Sequence, residues 1–112
     1  MAPGTLPLAP RDLLILAVLA ESPLHGYGLI KAVEERSQSG VLLDPANLYR
    51  CLRRMRDDGW IDEVRSGGDE RRRTYRITAS GRAMLRSEVE RLDRLLVQVR
   101  PALAGGRNGE RR

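Results

Sequence analysis

The sequence predicts a mainly α-helical protein with one small β-hairpin, an α+β fold class. Three segments in the first half of the chain carry apolar residues at helical spacing, separated by short breaks. After Gly59 the pattern changes to strand-like alternation on both sides of Gly67-Gly68. A long helical pattern follows the second strand. Three helices, a hairpin and a long helix are the order of a winged helix-turn-helix with a C-terminal dimerisation helix.

The size and composition of the chain limit what its core can be. Its 112 residues suffice for one small domain plus an extra element, and we find no internal repeat. There is no Phe, and Trp60 is the single Trp, so Leu, Val, Ile, Met and Ala must form the core. Such a core is thin, and burial of a helix face against a second subunit would stabilise it.

The chain is basic, and its positive charge is almost all arginine. The formal net charge is +5, the pI is near 10.3, and Lys31 is the single lysine among 20 basic residues. Arginine is favoured over lysine where planar, bidentate contact with phosphate or bases matters. A genome-wide bias in base composition gives the same excess, so both explanations stay open. A basic balance fits nucleic acid, an anionic membrane or an acidic protein as the partner.

The N-terminal region and the single cysteine indicate a cytoplasmic protein without a membrane partner. Residues 1–10 are rich in proline, which predicts a disordered arm, and they lack the basic start of a signal peptide. The apolar run from Leu13 to Ala20 is far shorter than the roughly 20 residues that span a bilayer. Cys51 has no partner for an intrachain disulfide, which fits a reducing compartment.

The first two helices are predicted to be core elements. The run that starts at Asp12 is apolar nearly all round, so this helix must be buried on most sides. The second helix begins in residues 25–28 and runs to about Ser37. Its predicted inward residues are Tyr27, Ile30 and Val33, so Tyr27 is expected in the core rather than at a ligand. Val41-Leu42-Leu43 fits either a stub of strand or an extended lead-in to the third helix.

The third helix, residues 44–58, has one apolar face and one basic face. Asp44 is a good N-cap, Pro45 fits the first helical position, and Gly59 is a natural stop. The predicted inward residues are Leu48, Cys51, Leu52 and Met55, so Cys51 is expected to be a core residue rather than a redox switch. The outward residues are Ala46, Asn47, Arg50, Arg53 and Arg54. A major groove accepts such a face, but an ordinary amphipathic surface helix shows the same pattern.

The hairpin and the last helix complete the predicted domains. Residues 60–65 and 71–78 are the two strands, with Tyr75 and Ile77 facing one side and Arg76 the other. Thr78 caps the last helix, and Pro101 limits it. Its apolar stripe has the spacing of a heptad seam and consists of Leu85, Val89, Leu92, Leu96 and Val99. The predicted units are a disordered arm (1–10), the winged helix-turn-helix (11–78), the dimerisation helix (79–100) and a disordered tail (101–112).

Several short motifs, taken together over roughly residues 11 to 99, resemble one family. They are Leu13-Leu-Ile-Leu-Ala-Val-Leu-Ala20, His25-Gly-Tyr-Gly-Leu29, Asn47-Leu-Tyr-Arg-Cys-Leu-Arg-Arg-Met55, Gly59-Trp-Ile61 and Arg73-Thr-Tyr-Arg-Ile-Thr-Ala-Ser-Gly81. In this order and spacing they resemble the PadR-like transcriptional regulators, in the small, single-domain branch. The chain departs from the family at Ala46-Asn47, where members often have Gly-Thr or Gly-Ser.

The resemblance implies DNA recognition by the third helix in the major groove, with the hairpin at the adjacent backbone or minor groove. The expected DNA-binding residues are Asn47, Tyr49, Arg50, Arg53, Arg54, Arg71, Arg72 and Arg73. For the three consecutive arginines, a solvated charge run partly neutralised by Asp69 and Glu70 is the alternative. The expected dimer interface comprises Leu13, Leu14, Leu85, Val89, Leu92, Leu96 and Val99.

The sequence therefore predicts a homodimeric repressor that binds double-stranded DNA at a palindromic operator. Resemblance adds a small apolar or phenolic effector at the dimer interface. The alternative is a winged-helix protein-interaction module whose basic face binds an acidic partner. No enzyme, cofactor or metal site is predicted, because one His and one Cys cannot form a zinc site and Gly26-Tyr27-Gly28 lacks the context of a dinucleotide site.

Overall fold

A computed structural model describes residues 6–65 and 73–109, with side chains up to residue 105. Four helices and three strands follow one another along the chain. They are α1 (Pro10–Glu21), β1 (Leu24–His25), α2 (Gly26–Arg36), α3 (Pro45–Asp57), β2 (Ile61–Arg65), β3 (Arg73–Ile77) and α4 (Ala79–Gly109). The predicted α+β class with helices, hairpin and terminal helix in this order is confirmed.

The core lies where α1 meets α2, α4 and β3. From α1 come Ile15, Leu16 and Leu19, which are almost fully buried, and the other helices add aliphatic side chains. Trp60 and Tyr75 are the aromatic members of this core. The predicted core of aliphatic residues with little aromatic content is therefore the one that forms. The segment 41–43 is an extended lead-in to α3, with Leu43 buried.

The sheet has three strands rather than the two of the predicted hairpin. β1 pairs antiparallel with β3, and the strand order is β1-β3-β2. In the hairpin, Ile61 lies opposite Ile77 and Arg65 opposite Arg73. A strand of only two residues shows no alternation, so periodicity could not reveal β1. Its pairing ties the start of α2 to the hairpin.

The joint between α3, the hairpin and α4 is fixed by the backbone. Gly59 has φ +83°, a left-handed conformation that ends α3 and that residues with a Cβ rarely adopt. Thr78 Oγ1 donates to the Gly59 carbonyl at 2.7 Å and accepts from the Gly81 N–H at 3.0 Å. A Cβ at Gly81 would collide with the Trp60 carbonyl. The hairpin therefore leaves and returns at one pinned point, with Thr78 as the predicted cap of α4.

The prediction of a disordered arm over residues 1–10 is wrong for residues 6–10. Leu8 is buried, and its backbone N–H donates to Glu88 Oε2 at 3.0 Å. Glu88, only 1% exposed, also accepts from Arg91 Nε at 2.6 Å and from Arg91 Nη2 at 2.8 Å. These bonds, with that of Arg91 the strongest, lower the pKa of Glu88. The contact between Leu8 and Glu88 could not be predicted from the sequence, because the two residues lie far apart in the chain.

Two further predictions are wrong. Pro101 does not limit α4, which continues to Gly109, so residues 101–109 are not the predicted disordered tail. The φ of proline fits a helix, and Pro101 costs α4 a backbone hydrogen bond without ending it. Tyr27 is 69% exposed and is not a core residue. The buried face of α2 consists of Gly26, Leu29 and Val33. Tyr27 follows Gly26 directly in the helix, so its side chain points away from this face.

Candidate nucleic-acid interface

The two faces of α3 are those that its sequence predicts. Its four inward residues are all buried: Leu48, Cys51, Leu52 and Met55. Asp44 caps the helix, with Oδ1 accepting from the Asn47 N–H at 2.8 Å. The opposite face carries polar and basic side chains that are exposed or half-buried. A rigid, capped helix therefore presents this polar face to solvent.

Asn47 and Arg50 are linked along the exposed face of α3. Asn47 Nδ2 donates to Asp44 Oδ2 at 3.0 Å, and Arg50 Nη1 donates to Asn47 Oδ1 at 2.6 Å. This chain of hydrogen bonds orients the Arg50 guanidinium, whose remaining N–H groups stay available. Arg53 lies one turn further along and makes no ion pair within residues 6–65 and 73–105. Arg50 and Arg53 together form the outermost basic surface of the helix.

Arg54, by contrast, is engaged with α1. Its Nη2 donates to Asp12 Oδ2 at 2.6 Å, and Asp12 is only 7% exposed. Arg11 Nε lies 3.7 Å from the other oxygen of the same carboxylate. The predicted DNA-contacting arginines of α3 therefore differ in their surroundings. Arg54 joins α3 to α1, while Arg50 and Arg53 face outward.

Tyr49 lies at the margin of α3, as its position in the helix predicts, and is half exposed. Its ring packs over the start of α2, so closely that a Cβ at Gly26 would collide with the Tyr49 hydroxyl. This contact explains why Gly26 stands in the His25-Gly26-Tyr27-Gly28 motif. It also places the Tyr49 hydroxyl at the N-terminus of α2.

A cleft of about 330 Å³ lies between α3 and the hairpin. It is lined by Tyr49, Leu52, Arg53, Arg56, Glu63, Arg73 and Tyr75. Arg56 Nη1 donates to Glu63 Oε1 at 2.9 Å, and Arg73 Nε lies 3.2 Å from Glu63 Oε2. Of the charged residues in this cleft, the sequence patterns predicted Arg53 and Arg73 as site residues but not Arg56 or Glu63. The alternation of side chains along β2 could have indicated Glu63, because it puts this residue on the same face of the sheet as its partner Tyr75.

The structure describes one of the three hairpin arginines that are expected to contact DNA. Arg73 begins β3 at the cleft, whereas Arg71 and Arg72 lie outside the described residues. The side chain of Arg73 is about one-third exposed. Its position beside α3 brings the hairpin and the third helix to one surface.

The predicted dimer-interface residues lie along one side of α4 and on α1. Leu85 and Leu92 are half-buried, whereas Val89, Leu96 and Val99 are between 41% and 53% exposed. Leu13 and Leu14 on α1 are half-buried. The far half of α4 thus carries apolar side chains that nothing in the described chain covers.

Cys51 is buried behind the basic face. Burial, with the nearby Asp12 carboxylate as a smaller cause, raises the pKa of the Cys51 thiol. A thiol held in its protonated form is a poor nucleophile, which supports its interpretation as a core residue. Among residues 6–65 and 73–105, no group of side chains has the composition of a metal site. Within the same part of the chain, no helix is long and apolar enough to cross a bilayer.

These features define a winged helix-turn-helix protein with a basic third helix and an adjacent hairpin. The model of the transcriptional regulator PadR-like family matches residues 15–87. Because that match covers more than half of the sequence, the chain belongs to the PadR-like family of transcriptional regulators. The family resemblance of the motifs is thereby confirmed.

Solved structures agree with this assignment. A PadR family transcriptional regulator from Eggerthella lenta is 28% identical, with 84% of each chain covered and a TM-score of 0.67. A transcriptional regulator from Clostridium thermocellum is 24% identical over 79% of this chain and 87% of that chain, with a TM-score of 0.70. At that identity the second likeness shows the fold alone.

A curated relative is also similar in sequence. An uncharacterized protein in a transposon of Streptomyces fradiae is 35% identical over 88 residues, which are 79% of this chain and 24% of that protein. The chain thus spans about a quarter of the length of this relative.

Proposed function

We propose that the protein is a homodimeric, cytoplasmic repressor that binds a palindromic operator through α3. The observation that carries this proposal is the pair of exposed arginines, Arg50 and Arg53, on the face of a capped helix beside the hairpin, with the half-buried Asn47 bonded to Arg50. Arginine reads guanine and asparagine reads adenine by bidentate hydrogen bonds in the major groove. A bound dimer would occlude a promoter and so repress transcription.

Dimerisation is supported by the uncovered apolar side of α4. Val89, Leu96 and Val99 follow the heptad spacing of a helix pair, and exposed apolar stripes of this length are costly in water. A second copy of the chain covers the stripe with an identical one, which gives a two-fold axis. That axis requires two half-sites related by symmetry in the DNA.

The proposed effector site lies at the same interface. A shallow depression on α4 is bordered by Arg82, Leu85, Arg86, Val89 and Glu90. A second copy packed on α4 would close this mixed apolar and charged surface into an enclosed site. A small apolar or phenolic compound bound there would change the spacing of the two α3 helices.

The test compares Arg50→Ala/Arg53→Ala with a control that removes the same type of charge elsewhere. Arg94→Ala is suitable because Arg94 is exposed on the side of α4 opposite the stripe. The probes are a duplex recovered by selection from a random-sequence pool and a mixed-sequence duplex. We expect the α3 variant to lose most of its preference for the selected duplex, at about 1–3 kcal/mol for each base-reading arginine.

The control variant should retain that preference. If wild type discriminates between the duplexes and the α3 variant does so equally well, α3 is not the reading element. If wild type binds no duplex in a salt-dependent way, the result would favour the alternative, in which the basic face binds an acidic protein partner.

A further inference from the structure

The cleft between α3 and the hairpin contains a carboxylate shared by two arginines from different elements. One carboxylate oxygen of Glu63 on β2 accepts a hydrogen bond from Arg56 of α3. The other oxygen lies beside the guanidinium of Arg73 on β3. The Glu63 side chain is only 13% exposed, whereas the side chains of Arg56 and Arg73 are 45% and 35% exposed. The carboxylate therefore fixes the position of the hairpin relative to α3.

The cleft remains positively charged in spite of Glu63. Arg53, Arg56 and Arg73 line it against this single carboxylate. Tyr75 at its inner side adds no negative charge, because burial, together with the nearby Glu63, raises the pKa of its hydroxyl. Arg53 makes no ion pair within residues 6–65 and 73–105. The excess positive charge of the cleft, together with the Arg53 guanidinium, suits an anion that enters from solvent.

The position of the cleft indicates which anion this is, given the proposed function. If α3 occupies a major groove and the hairpin reaches the neighbouring minor groove, one sugar-phosphate strand separates the two. That strand must cross the gap between α3 and the hairpin. The anion presented to Arg53, Arg56 and Arg73 is then a backbone phosphodiester.

We propose that the cleft between α3 and the hairpin is a phosphodiester seat, and that Glu63 is the positioning residue that holds Arg56 and Arg73 around it. This inference rests on the proposed binding of DNA by α3. Without the carboxylate, two neighbouring guanidinium groups repel each other and turn toward solvent. Glu63 thus contributes to binding of an anion although its own charge repels that anion.

Removal of the Glu63 charge alone should strengthen DNA binding, whereas loss of its hold on Arg56 and Arg73 should weaken it. The direction of the change in affinity therefore tests the proposal. Glu63→Gln and Asp62→Asn each remove one negative charge from β2, but Asp62 is exposed on the other face of the strand, opposite Arg76. General electrostatics alone would strengthen DNA binding by both variants. We expect Asp62→Asn to bind a mixed-sequence duplex as tightly as wild type or more tightly, and Glu63→Gln to bind it more weakly.

The dependence of affinity on salt measures how many phosphate contacts are lost. We expect the slope of log K against log salt concentration to become shallower by about 2 for Glu63→Gln, about 0.9 for each cleft of a dimer. Asp62→Asn should keep the wild-type slope. If Glu63→Gln is folded by circular dichroism and matches Asp62→Asn in affinity and slope, the proposal is wrong.

A second pair of variants decides the matter if Glu63→Gln does not fold. Arg56→Gln removes one arginine of the cleft, and Arg76→Gln removes an exposed arginine from the outer face of β3. On selected duplexes that carry one uncharged methylphosphonate at successive positions, wild type and Arg76→Gln should lose affinity at one position in each half-site. Arg56→Gln should be least sensitive at that position, because the charge that meets the phosphate is already reduced.

Equal sensitivity of all three proteins at every position would overturn the phosphodiester seat. That outcome differs from a failure of the proposed function, in which wild type itself shows no salt-dependent binding to any duplex. A seat for a small anion unrelated to DNA would appear as inorganic phosphate binding to wild type in the absence of duplex affinity, and it would overturn the proposal as well.

Discussion

At the scale of single residues, the arginines of α3 differ in their tasks although the sequence makes them look alike. Arg50 and Arg53 face solvent, Arg54 is bound to Asp12 of α1, and Arg56 is bound to Glu63 of the hairpin. Two carboxylates on neighbouring elements therefore hold α3 from both flanks. Helical periodicity separates an inner face from an outer one, but it cannot show which outer arginine has a partner elsewhere in the chain.

The Asp12–Arg54 pair should stabilise the fold. We expect Asp12→Asn to lower the free energy of unfolding by about 1–3 kcal/mol, between the values for exposed and buried pairs, because Asp12 is buried while the Arg54 side chain is 44% exposed. Urea unfolding measures this loss. Glu35→Gln, which neutralises an exposed carboxylate on α2, is the control and should leave stability within about 0.5 kcal/mol of wild type. Equal midpoints for the two variants would show that the pair is unimportant.

At the scale of elements, local signals predicted what local physics determines. The caps at Asp44 and Thr78, the stop at Gly59 and the buried stripe of α3 all lie as their sequence positions indicate. Each of these features depends on residues within one or two helical turns. Periodicity failed for β1, which is too short, and for Tyr27, where the start of α2 shifts the buried face by one position.

Contacts between distant segments could not be predicted from the sequence. Leu8 and Glu88 are 80 residues apart, and Glu63 meets Arg56 only because the turn at Gly59 folds the hairpin back on α3. No periodic pattern encodes such a meeting. Half of the candidate site, the exposed face of α3, was therefore readable beforehand, while the carboxylates that orient its arginines were not.

The contact between the N-terminal segment and α4 should depend on pH. Because its hydrogen bonds lower the pKa of Glu88, the carboxylate stabilises the fold above the ordinary glutamate range, and this contribution is lost as the pH falls through the lowered pKa. We expect Glu88→Gln to be less stable than wild type at neutral pH and the difference to narrow in acid. Urea unfolding at several pH values measures it, with exposed Glu90→Gln as the control. A difference that is constant with pH would contradict this role.

At the scale of the whole molecule, α4 is the element through which the proposed dimer would form. Its apolar stripe continues beyond the part that packs on α1, and residues as far as Leu103 remain exposed. A thin core without Phe gains from covering this surface. In the proposed dimer the same contact would set the distance between two α3 helices and would thereby link oligomeric state to operator geometry.

A charge placed in the stripe should separate the subunits. We expect Leu96→Glu to be monomeric in sedimentation equilibrium at concentrations where wild type is dimeric, because burying an unpaired carboxylate costs several kcal/mol. Val97→Glu introduces the same charge at an exposed apolar position of α4 that points away from the stripe, and it should remain dimeric. A dimeric Leu96→Glu variant would mean that another surface joins the subunits.

The proposed function requires a dimer that places two copies of α3 in successive major grooves. Methylation of guanine N7 in the selected duplex tests it most directly, because that atom lies in the major groove. The prediction is two symmetric clusters of interfering guanines with centres about 10–10.5 base pairs apart, both lost in Arg50→Ala/Arg53→Ala. Interference confined to one cluster, or a pattern unchanged in the variant, would contradict the claim.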